Sequence, residues 1–555
     1  MKFKMCFVAV LAGAVILPAG ALAQEYGPDD TTSIRTVQEA DDEEEADDEE
    51  PLRWDFRLTN EVHTFNNLDM QPLNEDTNQD VEDTDDRHTF GYTSVSAGAS
   101  YDVLEDTTFN FGAALSGMWA NDQIGTTTDF GAFAYIYDLS VDWTAIDVGD
   151  LSISTSVGRQ SFSIGGAEDD FFFKDILDGV TVTADLGAAG RARILVLDIV
   201  GDSGRPDDVD FARFINSNKQ TTNNFRGDTN VYRFGGVYEL LDLMDMFDVR
   251  AFAFGSHIGA ARASQLDEET SNSAEISADG ALANFADNDS TWMAGARANY
   301  TFEGPSFNFG LMAEYARSGG IDHKPEYLGL YDAETSGNAY GAAANVGTDG
   351  RTVDIDGRLR FFHADGNENT GEEGLLFNHG FVSMKGSQTG GINMDRYAGW
   401  HPSAYVSGFD GISDNPQDID RKAGTTSIHA GLGVLLADTL RIDLDGWYYR
   451  DASDTNFDIA DAEDVANDTA WGQSQAELEA QERLGKTLGA EINAALTYVA
   501  NDALSFYALS GIFFPGEFYE IPVDRTAGTA LGAPDGDPDK LEDFWMVAGG
   551  TTLRF

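Results

Sequence analysis

The chain has 555 residues, with 34 Lys+Arg against 96 Asp+Glu and a formal net charge of −62. That balance argues against nucleic acid and against anionic bilayer surfaces as partners, because like charge repels. With one cysteine, no intrachain disulfide can form, and no run reaches the roughly 18 apolar residues of a membrane helix, although 11% of residues are aromatic and 59 are glycine.

Residues 1–23 have the form of a secretory signal. Lys2 and Lys4 start it, Met5 to Leu17 form a short apolar core, and Ala21-Leu22-Ala23 is a small-residue cleavage site. The only cysteine, Cys6, lies inside this leader, and removing the leader's two lysines deepens the charge to −64. Residues 24–52 follow, with Asp41 to Glu45 and Asp47 to Glu50 as acidic runs. Self-repulsion and scarce apolar residues predict a disordered periplasmic lead-in.

From Arg53 onward, strand-like runs alternate with turns of two lengths. Trp292, Ala294, Ala296, Ala298 and Tyr300 oppose Gly295, Arg297 and Asn299, and Glu303-Gly304-Pro305 then turns the chain. Phe307, Phe309, Leu311, Ala313 and Tyr315 oppose Asn308, Gly310, Met312 and Glu314. The last run sets Trp545, Val547, Gly549, Thr551, Leu553 and Phe555 against Met546, Ala548, Gly550, Thr552 and Arg554. This is the period-two pattern of strands with one apolar and one polar face.

Short turns are expected near residues 105–106, 147–150, 187–190, 241–246, 304–305, 367–371, 437–438 and 501–502. Long polar stretches separate them, near 67–88, 121–129, 165–178, 201–227, 257–290, 318–350, 385–422, 451–485 and 515–542. Eight short and nine long connections in strict alternation predict 18 strands, one of them a weak strand over Gly374–Met384. Residues 53–555 are therefore expected to form one antiparallel transmembrane β-barrel of the outer-membrane type, among outer-membrane lipid and lipopolysaccharide.

In such a barrel the polar faces point inward. Arg297 lies opposite Ala296 and Ala298. Asp354, Asp356, Arg358 and Arg360 share one face; Arg441, Asp443 and Asp445 share another. Glu491 also points inward, and these residues are the candidate pore lining. A hydrated lumen tolerates such charges, whereas Arg or Lys facing lipid at mid-depth costs about 2–4 kcal/mol. The charges either select permeants by sign or pair off and stiffen the wall.

Enzyme signatures are poor. Gly201-Asp202-Ser203-Gly204 resembles a protease nucleophile segment but has no matching His and Asp segments before it. An outer-wall lipase would need a Ser–His pair, and His429 stands near Thr425, Thr426 and Ser427 with no marked third member. No catalytic residue, cofactor or defined metal site is therefore expected; the acidic loops are candidates for loosely held divalent cations.

Two stretches carry a family resemblance. Gly158-Arg159-Gln160, then Ile164-Gly165-Gly166, then Leu177-Asp178-Gly179-Val180 is similar to the early signature of the alginate-export family of outer-membrane barrels. Gly511 to Phe518, followed by a final strand, resembles that family's closing block. The resemblance implies a single 18-stranded barrel, outward passage of an acidic polysaccharide past a basic constriction, and Arg159 with Asp178 as a pore-mouth or loop-anchoring pair. The acidity of this chain departs from that pattern, since a polyanion is repelled by an acidic surround.

Three functions follow: a passive channel for hydrophilic solutes or polysaccharide, a general cation-preferring porin, or a non-channel barrel for adhesion or scaffolding. All three require the barrel. The purified mature chain should need detergent to stay in solution and give circular dichroism dominated by β-structure; a detergent-free soluble or mainly helical protein would overturn the fold.

Overall fold

A computed structural model describes residues 52–66, 88–104, 106–119, 133–165, 171–200, 231–243, 246–258, 290–322, 333–348, 352–366, 377–378, 380–381, 425–437, 439–452, 487–516 and 543–555. The expected signal segment (1–23) and all of the acidic segment (24–52) except Leu52 lie outside these residues.

The strands are β1 (Leu52–Asn66), β2 (His88–Leu104), β3 (Thr107–Trp119), β4 (Phe133–Val148), β5 (Leu151–Ser163), β6 (Lys174–Asp185), β7 (Arg191–Val200), β8 (Val231–Leu243) and β9 (Phe247–Ile258). They continue as β10 (Ser290–Glu303), β11 (Phe307–Asp322), β12 (Ala333–Thr348), β13 (Val353–Ala364), the two-residue β14 (Phe377–Asn378), β15 (Thr425–Leu436), β16 (Leu440–Asp451), β17 (Thr487–Asn501), β18 (Leu504–Pro515) and β19 (Phe544–Arg554). Apart from β14, each pairs antiparallel with its neighbours in sequence, with β13 joined to β15. β1 pairs with both β2 and β19, so 18 strands close into a barrel with no free edge. Among the described residues no helix is long and apolar enough to cross a membrane; the crossing elements are strands.

Period two divides the wall. On β16, Ile442, Leu444 and Tyr448 face outward while Arg441, Asp443, Trp447 and Tyr449 are buried on the inner side. On β17, Ile492 is 55% exposed and its neighbour Glu491 is fully buried. An exposed belt of Leu, Ile, Val, Phe, Trp and Tyr around a closed sheet is the surface of a barrel that spans a membrane, and spanning barrels of this kind are outer-membrane proteins.

Short and long connections alternate without exception, from the Glu105-Asp106 and Asp502-Ala503 turns to the 365–424 stretch between β13 and β15. The strand total matches the sequence expectation, but two elements differ. β12 lies inside the stretch 318–350 that reads as a polar loop, and its short turn is at 349–352 rather than 367–371. Gly374–Met384 does not supply a wall strand, since β13 pairs directly with β15; among its described residues Phe377–Asn378 is extended, running parallel to β12 at Glu334 and Thr335. The two differences cancel in the count.

β12 was illegible because its inner face is Gly337, Ala339, Gly341 and Ala343. Small side chains there make room for chain inside the barrel. A Cβ on Gly341 would stand 2.3 Å from the Phe171 ring, and one on Gly337 would stand 2.3 Å from the Phe381 backbone nitrogen. Phe171, Phe172 and Phe173, from the β5–β6 connection, pack with Phe381 against inward Phe162, Phe252, Phe254, Met293 and Phe362. The lumen expected to be polar therefore has an apolar cluster on its β5–β13 side.

The closing seam carries its own cross-tie. Tyr507 on β18 reaches over β19 and donates its hydroxyl to Glu61 on β1. Glu61 Oε2 also lies 2.8 Å from His63 Nε2, whose ring stacks on Phe90. Gly550 permits the crossing: a Cβ there would lie 2.6 Å from the Tyr507 hydroxyl and 2.5 Å from the Asn60 carbonyl oxygen. Overpacked sites of this kind cost about 1–3 kcal/mol. Gly550→Val should lower the sample-heating temperature at which the folded band is lost in gel electrophoresis, and Tyr507→Phe should lower it less; an unchanged temperature in both would show that the seam does not depend on the tie.

Candidate functional site

The inner wall is built from rows that the strand register lines up. Arg191 (β7), Glu239 (β8), Arg250 (β9), Arg297 (β10) and Glu314 (β11) are successive register partners. Glu239, 3% exposed, accepts from Arg193 Nε at 3.1 Å and from Arg250 Nε at 3.0 Å. Arg297 donates from Nε to Asn299 Oδ1 at 3.0 Å.

Arg193 also fixes the inserted segment. Its two terminal nitrogens donate to the carbonyl oxygens of Ser163 at 2.7 Å and Ile164 at 2.6 Å, where β5 ends. Its guanidinium lies 5.2 Å from the Phe162 ring centre, and that of Arg233 lies 5.3 Å from Phe173. Cations over aromatic faces in a poorly hydrated spot are worth about 2 kcal/mol. The phenylalanine cluster is thus tied to the charged row of β7–β9.

The second charged region lies on β13, β15 and β16. Asp354, Asp356, Arg358 and Arg360 occupy one inward face, with outward Val353, Ile355, Leu359 and Phe361 between and beside them. Arg441 donates to Asp443 on its own strand at 2.9 Å and to Asp356 on β13 at 2.9 Å, crossing β15. Gly433 of β15 opens that path, since a Cβ would sit 2.5 Å from Asp356 and 2.7 Å from Arg441. Arg358 lies 3.3 Å from Asp356. Arg360 is the register partner of His429. His429 Nε2 is 2.7 Å from Asp445 Oδ1, with its ring stacked on Trp447 at 4.2 Å. Further along, Tyr449 donates its hydroxyl to buried Glu491 at 3.2 Å.

Arg441, Asp356, Asp443 and Arg358 thus meet in one cluster, Asp445 pairs with His429, and Arg297 and Glu491 belong to separate rows. His429 and Ser427 face the interior, which removes an outer-wall lipase site from this part of the chain. The pair Arg159–Asp178 is bidentate, Nε to Oδ1 at 2.7 Å and the second nitrogen to Oδ2 at 2.5 Å. Its position corrects the pore-mouth expectation. Arg159 shares its face with Val157, 49% exposed, and pairs in register with outward Leu139; Gln160 and Phe162 point inside. The pair therefore sits on the outer wall, between apolar Val157 and polar Ser161, and Arg159 also donates to the Ile136 carbonyl oxygen at 2.8 Å.

Glu239, Arg193, Arg233, Arg250 and Phe171–Phe173 were not among the sequence candidates. Their nearest signal is the Phe171-Phe172-Phe173 run inside a polar stretch, together with the small-residue alternation of β12 that accommodates it. No group of three or more His, Cys, Asp and Glu side chains placed to hold a metal ion occurs among the described residues.

The molecule is a closed 18-stranded antiparallel β-barrel of the outer-membrane type with a charged inner wall. No family model matches the sequence, and no curated protein matches it. Among solved structures it is similar to OprD of Pseudomonas aeruginosa (TM-score 0.44, 11% identity, 91% of this chain and 95% of that one). It is also similar to OccAB4 of Acinetobacter baumannii (TM-score 0.42, 10% identity, 92% and 99%) and to OprB of Pseudomonas putida (TM-score 0.40, 10% identity, 91% and 94%). The architecture assigned here rests on strand pairing and face alternation, not on these likenesses.

Removing Arg441 leaves Asp356 and Asp443 facing each other without their shared cation. Breaking a buried pair costs about 3–5 kcal/mol, and partial hydration of Asp356 moves the expectation to about 2–3 kcal/mol. Arg441→Gln should lower urea resistance in detergent by that amount, and Asp356→Asn combined with it should restore part of the loss; equal stability of all three proteins would show the cluster to be energetically idle.

Proposed function

We propose that the barrel is a passive outer-membrane channel for small hydrophilic solutes, with Arg297, Arg358, Arg360, Arg441, Asp354, Asp356, Asp443, Asp445 and Glu491 lining its path. The observation that carries this reading is a closed wall with Glu239, Arg250, Arg297, Asp356, Arg441 and Glu491 on its inner face, several of them paired across strands. Fixed dipoles and charges of both signs along a water-filled path suit solutes that shed part of their hydration and must leave again. Apolar volume from Phe171–Phe173 and Phe381 narrows the interior and favours small solutes over a polysaccharide chain.

Export of an acidic polysaccharide, the reading implied by the short motifs, is disfavoured by the charge of the chain and by arginines already neutralised by carboxylates. A non-channel scaffold is the second reading, favoured by the same phenylalanine cluster if it blocks the lumen.

Planar-bilayer recording separates the three. A small-solute channel should give discrete conductance steps, with a reversal potential in a KCl gradient on the cation side, because the net charge draws cations to the mouth. Strong anion selectivity would favour the export reading. Absence of steps at every salt concentration would leave the scaffold.

A further inference from the structure

Two arginines on the outer wall have no carboxylate partner among the described residues. Arg317 on β11 is exposed and donates to the Ser336 hydroxyl at 3.3 Å. Arg450 on β16 is exposed and stands in register with Thr426. Both point away from the interior, since Ala316 and Tyr449 beside them are fully buried. In a chain of net charge −62, two uncompensated cations on one outer face are conspicuous.

Their height is marked by tyrosines. Each arginine lies one same-face step toward the long-loop end from an exposed tyrosine of its own strand, Tyr315 below Arg317 and Tyr448 below Arg450. The Tyr315 and Tyr340 rings meet in a tilted contact at 5.4 Å, and Tyr340 stacks with His363 at 6.1 Å. Aromatic side chains of this kind form the girdle at the boundary between hydrocarbon and headgroups. Both arginines thus lie on the long-connection side of an outward tyrosine, Arg450 in register with Tyr315 and Arg317 one same-face step beyond it.

Between them the wall is polar. Tyr315 donates to Asn338 Oδ1 at 2.9 Å, Asn338 donates from Nδ2 to Asp365 at 2.8 Å, and His363 Nδ1 lies 2.8 Å from the Thr426 hydroxyl. Asp365 accepts from the backbone N–H and the side-chain amide of Asn338 and lies 3.4 Å from His363, and exposed Glu334 stands on the same outward face of β12, nearer the long-loop end. Four strand spacings of about 4.8 Å place the two arginine backbones on the order of 19 Å apart, and two long side chains can shorten that gap.

We propose that Arg317 and Arg450 grip the phosphate groups of a phosphorylated glycolipid headgroup in the outer leaflet, with the tyrosine girdle against its acyl chains. Guanidinium and phosphate match in charge and in bidentate geometry, and an exposed Arg at the headgroup boundary reaches phosphate without entering hydrocarbon. A headgroup phosphorylated at both ends offers two anions to two separated cations. The inference rests on the membrane-spanning reading of the barrel and is independent of what passes through it.

The test uses the full mature chain in detergent and bis-phosphorylated lipid A as the probe. Native mass spectrometry should show lipid A bound to the wild type, with the apparent affinity falling about tenfold or more for R317Q/R450Q. Enzymatically dephosphorylated lipid A should bind the wild type about as weakly, and inorganic phosphate at the same concentration should not compete. Equal binding by wild type and double variant, or equal binding of phosphorylated and dephosphorylated lipid, would overturn the proposal; effective competition by inorganic phosphate would overturn the lipid as its source. The folded gel mobility and conductance of the double variant should match wild type. A non-conducting wild type that binds lipid A through these arginines sinks the channel reading alone.

Discussion

Backbone pairing is the constraint from which the rest of this molecule follows. A strand crossing hydrocarbon has no water to satisfy its N–H and C=O groups, so every wall strand needs a partner on both sides. The β1–β19 pairing supplies the last of these and turns an open sheet into a cylinder. Closure then fixes the meaning of every side chain, because alternate residues must face lipid and lumen. Charges and aromatics are sorted accordingly: Arg441, Asp443 and Asp445 inside, Ile442, Leu444 and Tyr448 outside.

Inside the cylinder a second device recurs. Side chains two strands apart meet where the strand between them carries glycine. Gly433 lets Arg441 reach Asp356, and Gly550 lets Tyr507 reach Glu61. Each glycine removes the Cβ that would otherwise separate the partners. The inner wall is thereby tied across strands as well as along the hydrogen-bond ladder, which suits a wall whose charges would otherwise lack rigid partners in a wet interior. The inserted phenylalanines use the same room, and Arg193 holds their segment by its carbonyl oxygens.

The two faces of the wall thus serve different neighbours. The inner one offers neutralised rows of Arg and Asp or Glu to whatever crosses; the outer one offers an apolar belt edged by tyrosine, with Arg317 and Arg450 just beyond it. Arg159–Asp178 belongs to this outer surface as well. An ion pair there is tolerated because its two charges satisfy each other bidentately and because Ser161, rather than another apolar side chain, is its next outward neighbour toward the loops.

Alternation along single strands was written in the sequence, and with it the barrel class, the alternation of short and long connections, and the inward direction of Arg297, Arg358, Arg441 and Glu491. These are local properties: period two and turn residues need no knowledge of neighbours. The strand β12 was hidden because small residues give no amphipathic contrast, and Gly374–Met384 looked like a strand because it is rich in apolar residues, of which Phe381 packs in the phenylalanine cluster inside the barrel. Only the closed structure decided which charges meet, since Asp356 and Arg441 are brought together by register across an intervening strand. It also decided that Arg159 and Asp178 face outward, because a motif carries no information about which side of the sheet its residues occupy until the neighbouring strands are in place.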